Sequence, residues 1–198
     1  MLAKILRKEK LVYPHFQLLD TCGTTTKEWR MAKDGNKSGF SLKDELFNRN
    51  RVKYLADLFR TADQQFDSQG FVGDTMKKLK KLELKQRIVH IAETLERYLD
   101  TNYQVAAKQI VHALPPPLDP TKSDDDFGDF IFAPLGEYVV RNGMAKQHLK
   151  LSLRTLRELT QRFSMEDSIR YFIDAHSKPT LAVLSKWSVH KNYHVRRL

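Results

Sequence analysis

The chain has 198 residues, enough for one domain with a buried core or a short array of helical repeats, but too few for two large domains. Hydrophobic residues make up 41% and charged residues 29%, which is typical of soluble globular proteins, and no apolar run approaches the roughly 18 to 20 residues of a membrane span. The net charge of +10 is concentrated in residues 141–198, which hold twelve Lys and Arg against four Asp and Glu. This asymmetry indicates a surface that binds a polyanion, although solvated basic surfaces without a partner are also common.

The first 40 residues have no strong periodicity and contain turn-forming runs at residues 24–26 and 34–39. They are interpreted as a partly irregular N-terminal extension, residues 1–40, followed by a helical domain, residues 41–198. No secretory signal is expected, and the single cysteine, Cys22, suits a reducing cytoplasm and lacks an activating context for a nucleophile.

Helical signals begin at Ser41, which with Asp44 predicts a capping box and a helix from about Leu42 to Phe59, interrupted at Asn48 or Asn50. Further along, Asp74 is predicted to cap a helix that carries a lysine cluster, interpreted as a solvated face. The cluster comprises Lys77, Lys78, Lys80 and Lys81. Two more helices are predicted, one from Leu84 with an apolar face of 3.6-residue period, and one from Tyr103 to Leu114.

Three consecutive prolines at residues 115–117 end that helix, because proline lacks an amide hydrogen and favours extended backbone. The connection then runs to about Phe127, and loops of this length are usually functional or disordered. An acidic, aromatic and glycine-punctuated stretch follows, residues 124–143, in which Pro134 and Gly143 predict a short helix from Pro134 to Asn142.

The only acid of this short helix is Glu137, which is flanked by the packing residues Leu135, Val139 and Val140. Such an acid is a candidate for partial desolvation and hence for chemistry. The alternative is an acid near a helix N-terminus that merely complements the helix dipole.

A strongly helical segment is predicted from Gln147 to Phe163. Its apolar positions form one stripe, and Lys150, Arg154 and Arg157, at spacings i, i+4 and i+7, form a basic stripe roughly a quarter-turn away. A stripe at the margin of a buried face can line a concave groove. Of the surfaces predicted from the sequence, this stripe is the strongest indication of such a groove.

Ser164 and Asp167 repeat the capping-box pattern ahead of another helix, and a last helix is predicted to begin near Pro179 and to include Trp187. No strand-like alternation follows Ser41. The domain is therefore predicted to be all-α, with antiparallel helices arranged as a HEAT-like repeat superhelix, or α-solenoid.

Motifs for nucleotide cofactors and for paired cysteine ligands are absent from the sequence. His190 and His194 are four residues apart, but Lys191, Arg196 and Arg197 surround them and would repel a cation. No metal and no cofactor is expected.

Four segments in order carry a resemblance to a known family: LELKQR at 82–87, FIFAPLGEYV at 130–139, LTQRFSMEDSIR at 159–170 and NYHVRRL at 192–198. Together they resemble the HEAT-like DNA alkylation repair glycosylases, nearest the AlkC branch, over residues 40–198. The resemblance implies a stack of helices whose basic concave face grips duplex DNA, and excision of cationic alkylated bases such as 3-methyladenine. It also implies a bacterial cytoplasmic protein associated with the nucleoid, acting as a monomer without membrane attachment.

The resemblance and the chemistry of a cationic leaving group make Glu137 the first catalytic candidate and Glu166 the second. Trp187 could offer a π face to a cationic base, with core packing as the alternative. The expected phosphate contacts are the basic residues of the last third of the chain, among which the final arginine pair matches the family's paired arginines. They are Lys150, Arg154, Arg157, Arg162, Lys186, Lys191, Arg196 and Arg197.

Two departures from the family pattern bear on activity. The family usually has a tryptophan four residues before the helix acid, where this chain has Ala133, and it continues beyond the segment that ends here at Leu198. A truncated member is therefore expected. The alternatives to a glycosylase are an inactive DNA-binding module of the same architecture and a protein-interaction array.

Overall fold

A computed structural model of the chain describes residues 41–121 and 128–198. The predictions for residues 1–40 and for residues 124–127 lie outside the described residues. The boundary between an extension and a helical domain at residue 40 stays a prediction.

Helices account for nearly all regular structure in the described part of the chain. The α-helices are α1 (Leu42–Leu46), α2 (Arg49–Ala62), α3 (Ser68–Leu79), α4 (Leu84–Leu95), α5 (Tyr103–His112), α6 (Ala133–Gly143), α7 (Leu149–Thr160), α8 (Glu166–Ala175), α9 (Ser177–Trp187) and α10 (Tyr193–Arg196). Short 3-10 helices at Phe130–Phe132 and Lys146–His148 lead into α6 and α7. Within residues 41–121 and 128–198 no strand forms, and a single antiparallel bridge joins Gly128 to Phe163.

The helices pack in two rows. In one row α3 packs on α4, α4 on α6 and α6 on α8, and in the other α2 packs on α5 and α5 on α7. Contacts of α2 with α3 and of α6 with α7 join the rows, and buried apolar side chains from both fill the space between them. The predicted all-α class and α-solenoid arrangement are confirmed.

The first helical region shows which local signals decide where helices begin. Asn48 interrupts the predicted helix as expected, since its side chain accepts a hydrogen bond from the Arg51 amide at 3.0 Å and starts α2. Ser41 occupies the N-cap position of α1 as predicted, but the capping box is wrong, because the Ser41 side chain makes no capping bond. Asp74 as a cap is also wrong: α3 begins earlier, at Ser68, where Asp67 caps it by accepting from the Gly70 amide at 2.9 Å.

The last third differs from expectation at two helix ends and agrees with it at a third. The Ser164 capping box is wrong, since α8 begins at Glu166 after Met165 and no side chain caps it. Pro179 lies in the first turn of α9, which begins at Ser177. The short helix α10 was not predicted, and Asn192 caps it by accepting from the Val195 amide at 3.3 Å.

Arg87 holds the beginning of the array together. Its side chain is 1% exposed, and it donates to the carbonyl oxygens of Leu82, Lys43 and Phe47 at 3.0, 2.7 and 2.9 Å and to the Asp44 carboxylate at 2.6 Å. Since a buried guanidinium needs a partner for each donor, these bonds fix α1 against α4.

Two glycines let α6 approach its neighbours closely. A Cβ at Gly136 would collide with Ser168 and Met165 at the contact with α8. A Cβ at Gly143 would collide with Ser152 and Tyr103, whose hydroxyl oxygens lie 2.7 Å apart, while Ser152 donates to the Gly143 carbonyl at 2.8 Å. α6 is therefore fixed from two sides, which sets the position of Glu137.

Candidate functional site

Glu137 lies one turn into α6, the helix predicted between Pro134 and Asn142 and observed as Ala133–Gly143. Pro134 occupies the first turn, where a missing amide hydrogen has no consequence. The side chain is partly buried, and this burial raises the pKa of the Glu137 carboxyl, with Glu93 and Glu96 adding to the rise and Arg141 opposing it. Desolvation of this acid, anticipated from its apolar neighbours, is confirmed.

Arg141 connects α6 to α4 beside Glu137. Its Nε lies 2.8 Å from Glu96 Oε1 and its Nη2 lies 3.4 Å from Glu93 Oε1. The Asn142 amide donates to the same Glu96 oxygen at 3.1 Å. Two carboxylates thus pair with one guanidinium, on which Glu137 also acts electrostatically, and ionisation of all three acids would leave a net negative site able to stabilise a cation.

Glu93, Glu96 and Arg141 were missed by sequence reasoning. Arg141 follows Glu137 by four residues and therefore lies on the same face of α6, a signal that was available. The acids on α4 are more than 40 residues away along the chain, and nothing in the sequence reports the packing of α4 on α6.

Glu166, the second catalytic candidate, is the first residue of α8 and lies 3.7 Å from Nε of Arg197. A carboxylate in the first turn of a helix is favoured by the helix dipole. Glu166, expected as an acid of the site, and Arg197, expected as a phosphate contact, therefore form one ion pair.

Trp187 ends α9 and is 8% exposed, within the apolar core. This burial favours the packing alternative over a π face offered to a base.

Within the α7 basic stripe, Lys150 and Arg154 are exposed, whereas Arg157 donates to Glu158 Oε1 at 2.9 Å. Arg162, beyond the end of α7, has a structural role: it is 13% exposed and donates to the Pro115 and Glu158 carbonyl oxygens at 2.8 and 3.0 Å. It holds the proline-rich connection against α7.

The C-terminal basic residues divide in the same way. Lys186 and Lys191 are exposed. Arg196 donates to the carbonyl oxygens of His190 and Lys191 at 2.7 and 3.1 Å, and its guanidinium lies 5.7 Å from the centre of the Tyr193 ring. These bonds fix the arginine side chain at the end of α10.

The stripe and the acid lie in different rows of the array. Arg154 is on α7, which packs on α5, whereas Glu137 is on α6, between α4 and α8. The charged groups acting on Glu137 are those of α4 and α6, not the α7 stripe. The acid and the stripe therefore lie on two helices, α6 and α7, that belong to different rows and pack on each other.

Neither a metal cluster nor a membrane span is found in the parts of the chain that the structure describes. No three His, Cys, Asp or Glu side chains converge there as metal ligands, and no helix is long and apolar enough to cross a bilayer.

Fold and site together define an α-solenoid with a half-buried acid on a central helix. No family model matches the chain. Its structure is similar to that of the Pseudomonas fluorescens alkylpurine DNA glycosylase AlkC bound to DNA containing an abasic site analog, with a TM-score of 0.66 and 26% identity over 81% of this chain and 42% of that one. The resemblance to the HEAT-like DNA alkylation repair glycosylases, nearest AlkC, is confirmed.

A second protein is similar in sequence to this chain over most of the chain's length. The uncharacterized protein YhaZ of Bacillus subtilis (strain 168) is 29% identical over 156 residues, which make up 78% of this chain and 40% of YhaZ. The chain thus spans about two fifths of the length of both relatives.

Proposed function

We propose that this protein binds double-stranded DNA in alkylation repair and acts as a glycosylase, hydrolysing the N-glycosidic bond of cationic alkylated bases of the 3-methyladenine type. The observation that carries the proposal is the state of Glu137. It is a half-buried carboxylate, its pKa is raised by burial, and it lies on a helix that packs closely on its neighbours. Structural similarity to an alkylpurine DNA glycosylase supplies the reaction class.

The reaction suits a single carboxylate. An alkylated base already carries positive charge, so it leaves with the electron pair of the C1′–N bond as a neutral molecule, and the sugar becomes an oxocarbenium ion. Glu137 stabilises this cation by its charge, and water then bonds to C1′. The proton that water releases passes to the carboxylate, whose raised pKa brings it nearer the working pH of a general base.

The other residues have supporting roles in this proposal. Glu166 remains the second acid, held by Arg197. The exposed cations Lys150, Arg154, Lys186 and Lys191 contact backbone phosphates, which fix orientation without reading sequence. We place the protein in the bacterial cytoplasm, as a monomer on nucleoid DNA that uses neither metal nor nucleotide cofactor.

The second candidate is a DNA-binding module without catalysis. It is favoured by Ala133, which stands four residues before Glu137, where the family pattern has a tryptophan. Both candidates need the basic surface to bind DNA. Only the enzyme needs an acid that stabilises a cationic sugar.

The experiment compares binding to duplexes that carry two abasic analogues, one a neutral tetrahydrofuran and the other a cationic pyrrolidine. Because an enzyme binds its transition state more tightly than its substrate, the glycosylase is expected to prefer the cationic analogue by about tenfold or more. Glu137→Gln should abolish that preference and leave affinity for the neutral analogue equal or better.

Equal affinity of the wild-type protein for both analogues would leave the binding module as the function. Absence of salt-sensitive binding to any duplex would reject both candidates, since phosphate contacts release counterions and must weaken with salt.

A further inference from the structure

The lysine cluster interpreted from the sequence as a solvated face borders a groove between α3 and α4. Asp74, Lys77 and Lys78 share one face of α3 at spacings i, i+3 and i+4. His90 and Glu93 on α4, with Arg97 just beyond its end, form the opposite wall. The groove is open to solvent, and its volume of about 260 Å³ is below the roughly 300 to 1,000 Å³ of small-molecule sites and suits an ion better than a nucleotide.

Two of the three cations of this groove, Lys77 and Arg97, pair with its acid, Asp74. Asp74 Oδ1 lies 2.6 Å from Lys77 Nζ, and Asp74 Oδ2 lies 3.1 Å from Arg97 Nη1. The Tyr98 hydroxyl donates to the same Oδ2 at 3.0 Å, so the carboxylate is fixed from a third side. The hydrogen bond from Lys77 is the largest influence lowering the pKa of Asp74, which therefore stays ionised at neutral pH.

The charge count leaves a place for one anion. Lys77, Lys78 and Arg97 bring three positive charges against the two carboxylates of Asp74 and Glu93. Asp74 pairs with Lys77 and Arg97 within the groove. The residual single positive charge matches that of a monoanion, and a backbone phosphodiester is one.

The groove and the surroundings of Glu137 share one residue, Glu93. Glu93 lines the groove and also pairs with Arg141, the residue beside Glu137. α3, α4 and α6 are consecutive helices of the same row, at interaxial spacings of roughly 8 to 10 Å. A strand that follows this row of helices with a sugar at Glu137 passes the α3–α4 groove within a few nucleotides.

We propose that the α3–α4 groove is a phosphate site, formed by Lys77, Lys78 and Arg97, that holds the DNA backbone beside Glu137. The proposal rests on the proposed function for the identity of the polyanion. Free inorganic phosphate has the same chemistry, and the test below distinguishes binding of this ion from binding of a DNA phosphodiester.

The test compares two charge-matched double variants of the full chain. Lys77→Gln/Lys78→Gln removes two cations from the groove, and Lys80→Gln/Lys81→Gln removes two from the adjoining turn, outside it. Affinity for an undamaged duplex is measured by fluorescence anisotropy across a series of salt concentrations. Loss of one phosphate contact should lower the slope of log affinity against log salt by about 0.9, and the control should change it by less than about 0.3.

Arg97→Gln provides an independent variant on the other wall, and the same loss of slope is expected. Equal slope changes in both double variants, or none in either, would overturn the proposal by showing only diffuse attraction. Inorganic phosphate, titrated at constant ionic strength, tests the other source. If groove variants weaken phosphate binding and leave the DNA slope intact, the duplex assignment is wrong.

The outcome is separable from that of the glycosylase proposal. If the groove variants lose a phosphate contact while the wild-type protein binds the neutral and cationic abasic analogues equally, the phosphate site is supported and the enzyme assignment is wrong. If the preference for the cationic analogue holds and the slopes do not differ, the groove assignment alone falls. A wild-type protein that binds no duplex would overturn both.

Discussion

Glu137→Gln keeps the shape of the side chain and removes its charge, so it isolates what the carboxylate contributes. Partial burial on α6 shields Glu137 from bulk water without excluding it. At an effective dielectric constant of about 20 and a separation of about 5 Å, a carboxylate and a sugar cation attract by roughly 3 kcal/mol. That is about two powers of ten in rate, which the variant should lose at the chemical step.

The stability of the same variant separates catalysis from folding. Burial raises the folded-state pKa of Glu137 above its unfolded value, so its contribution to stability is present at low pH and is lost as pH rises through the folded pKa. At pH 7 the ionised carboxylate is therefore a destabilising group beside Glu93 and Glu96. Glu137→Gln should show an unchanged or higher melting temperature at that pH.

The assay is single-turnover release of 3-methyladenine from methylated duplex, with affinity for undamaged duplex measured in parallel. We expect excision to fall about a hundredfold while affinity is equal or better, because removal of an acid lessens repulsion of phosphate. A fall in melting temperature with a proportionate loss of binding would refute this reasoning and make Glu137 a structural residue.

Three further predictions concern the elements around the site. Arg141→Gln removes the cation that opposes the rise in the pKa of Glu137, so this pKa should move further up in a carboxyl NMR titration. A downward movement would contradict the assigned charge environment. Arg87→Met leaves three carbonyl groups without their donor and should cost about 3 to 5 kcal/mol, or roughly 10 °C in Tm by thermal denaturation. Gly136→Ala should destabilise by about 1 to 3 kcal/mol because its Cβ meets α8, whereas Gly73→Ala, with open space around its Cβ, should be neutral or stabilising in the same denaturation assay.

The sequence predicts α6 well because its signals are local. Pro134 at the start and Gly143 at the end lie within the helix they delimit, and the apolar neighbours of Glu137 are adjacent in sequence. Asp67 and Asp74 show the limit of such signals, since either aspartate could cap a helix. Packing decides between them, because α3 begins early enough to bury Phe71 and Val72.

The surroundings of Glu137 depend on contacts between distant parts of the chain. Glu96 and Arg141 are 45 residues apart, and they meet only because α4 packs on α6. Arg162 appears in the sequence as one more cation of a basic segment, yet its donors go to the Pro115 carbonyl, 47 residues earlier. Charge counting identifies a basic region, and only the packing shows which cations are already engaged.

The central claim is that this chain breaks the glycosidic bond of a cationic base, and the most direct measurement is free base released from methylated duplex. The 198-residue protein, in excess over DNA, is incubated with duplex containing 3-methyladenine, and the released base is quantified by mass spectrometry against a reaction without protein. The account predicts protein-dependent release above spontaneous depurination, accompanied by an equal number of abasic sites. Release that matches the protein-free reaction, while the duplex stays bound, would contradict it.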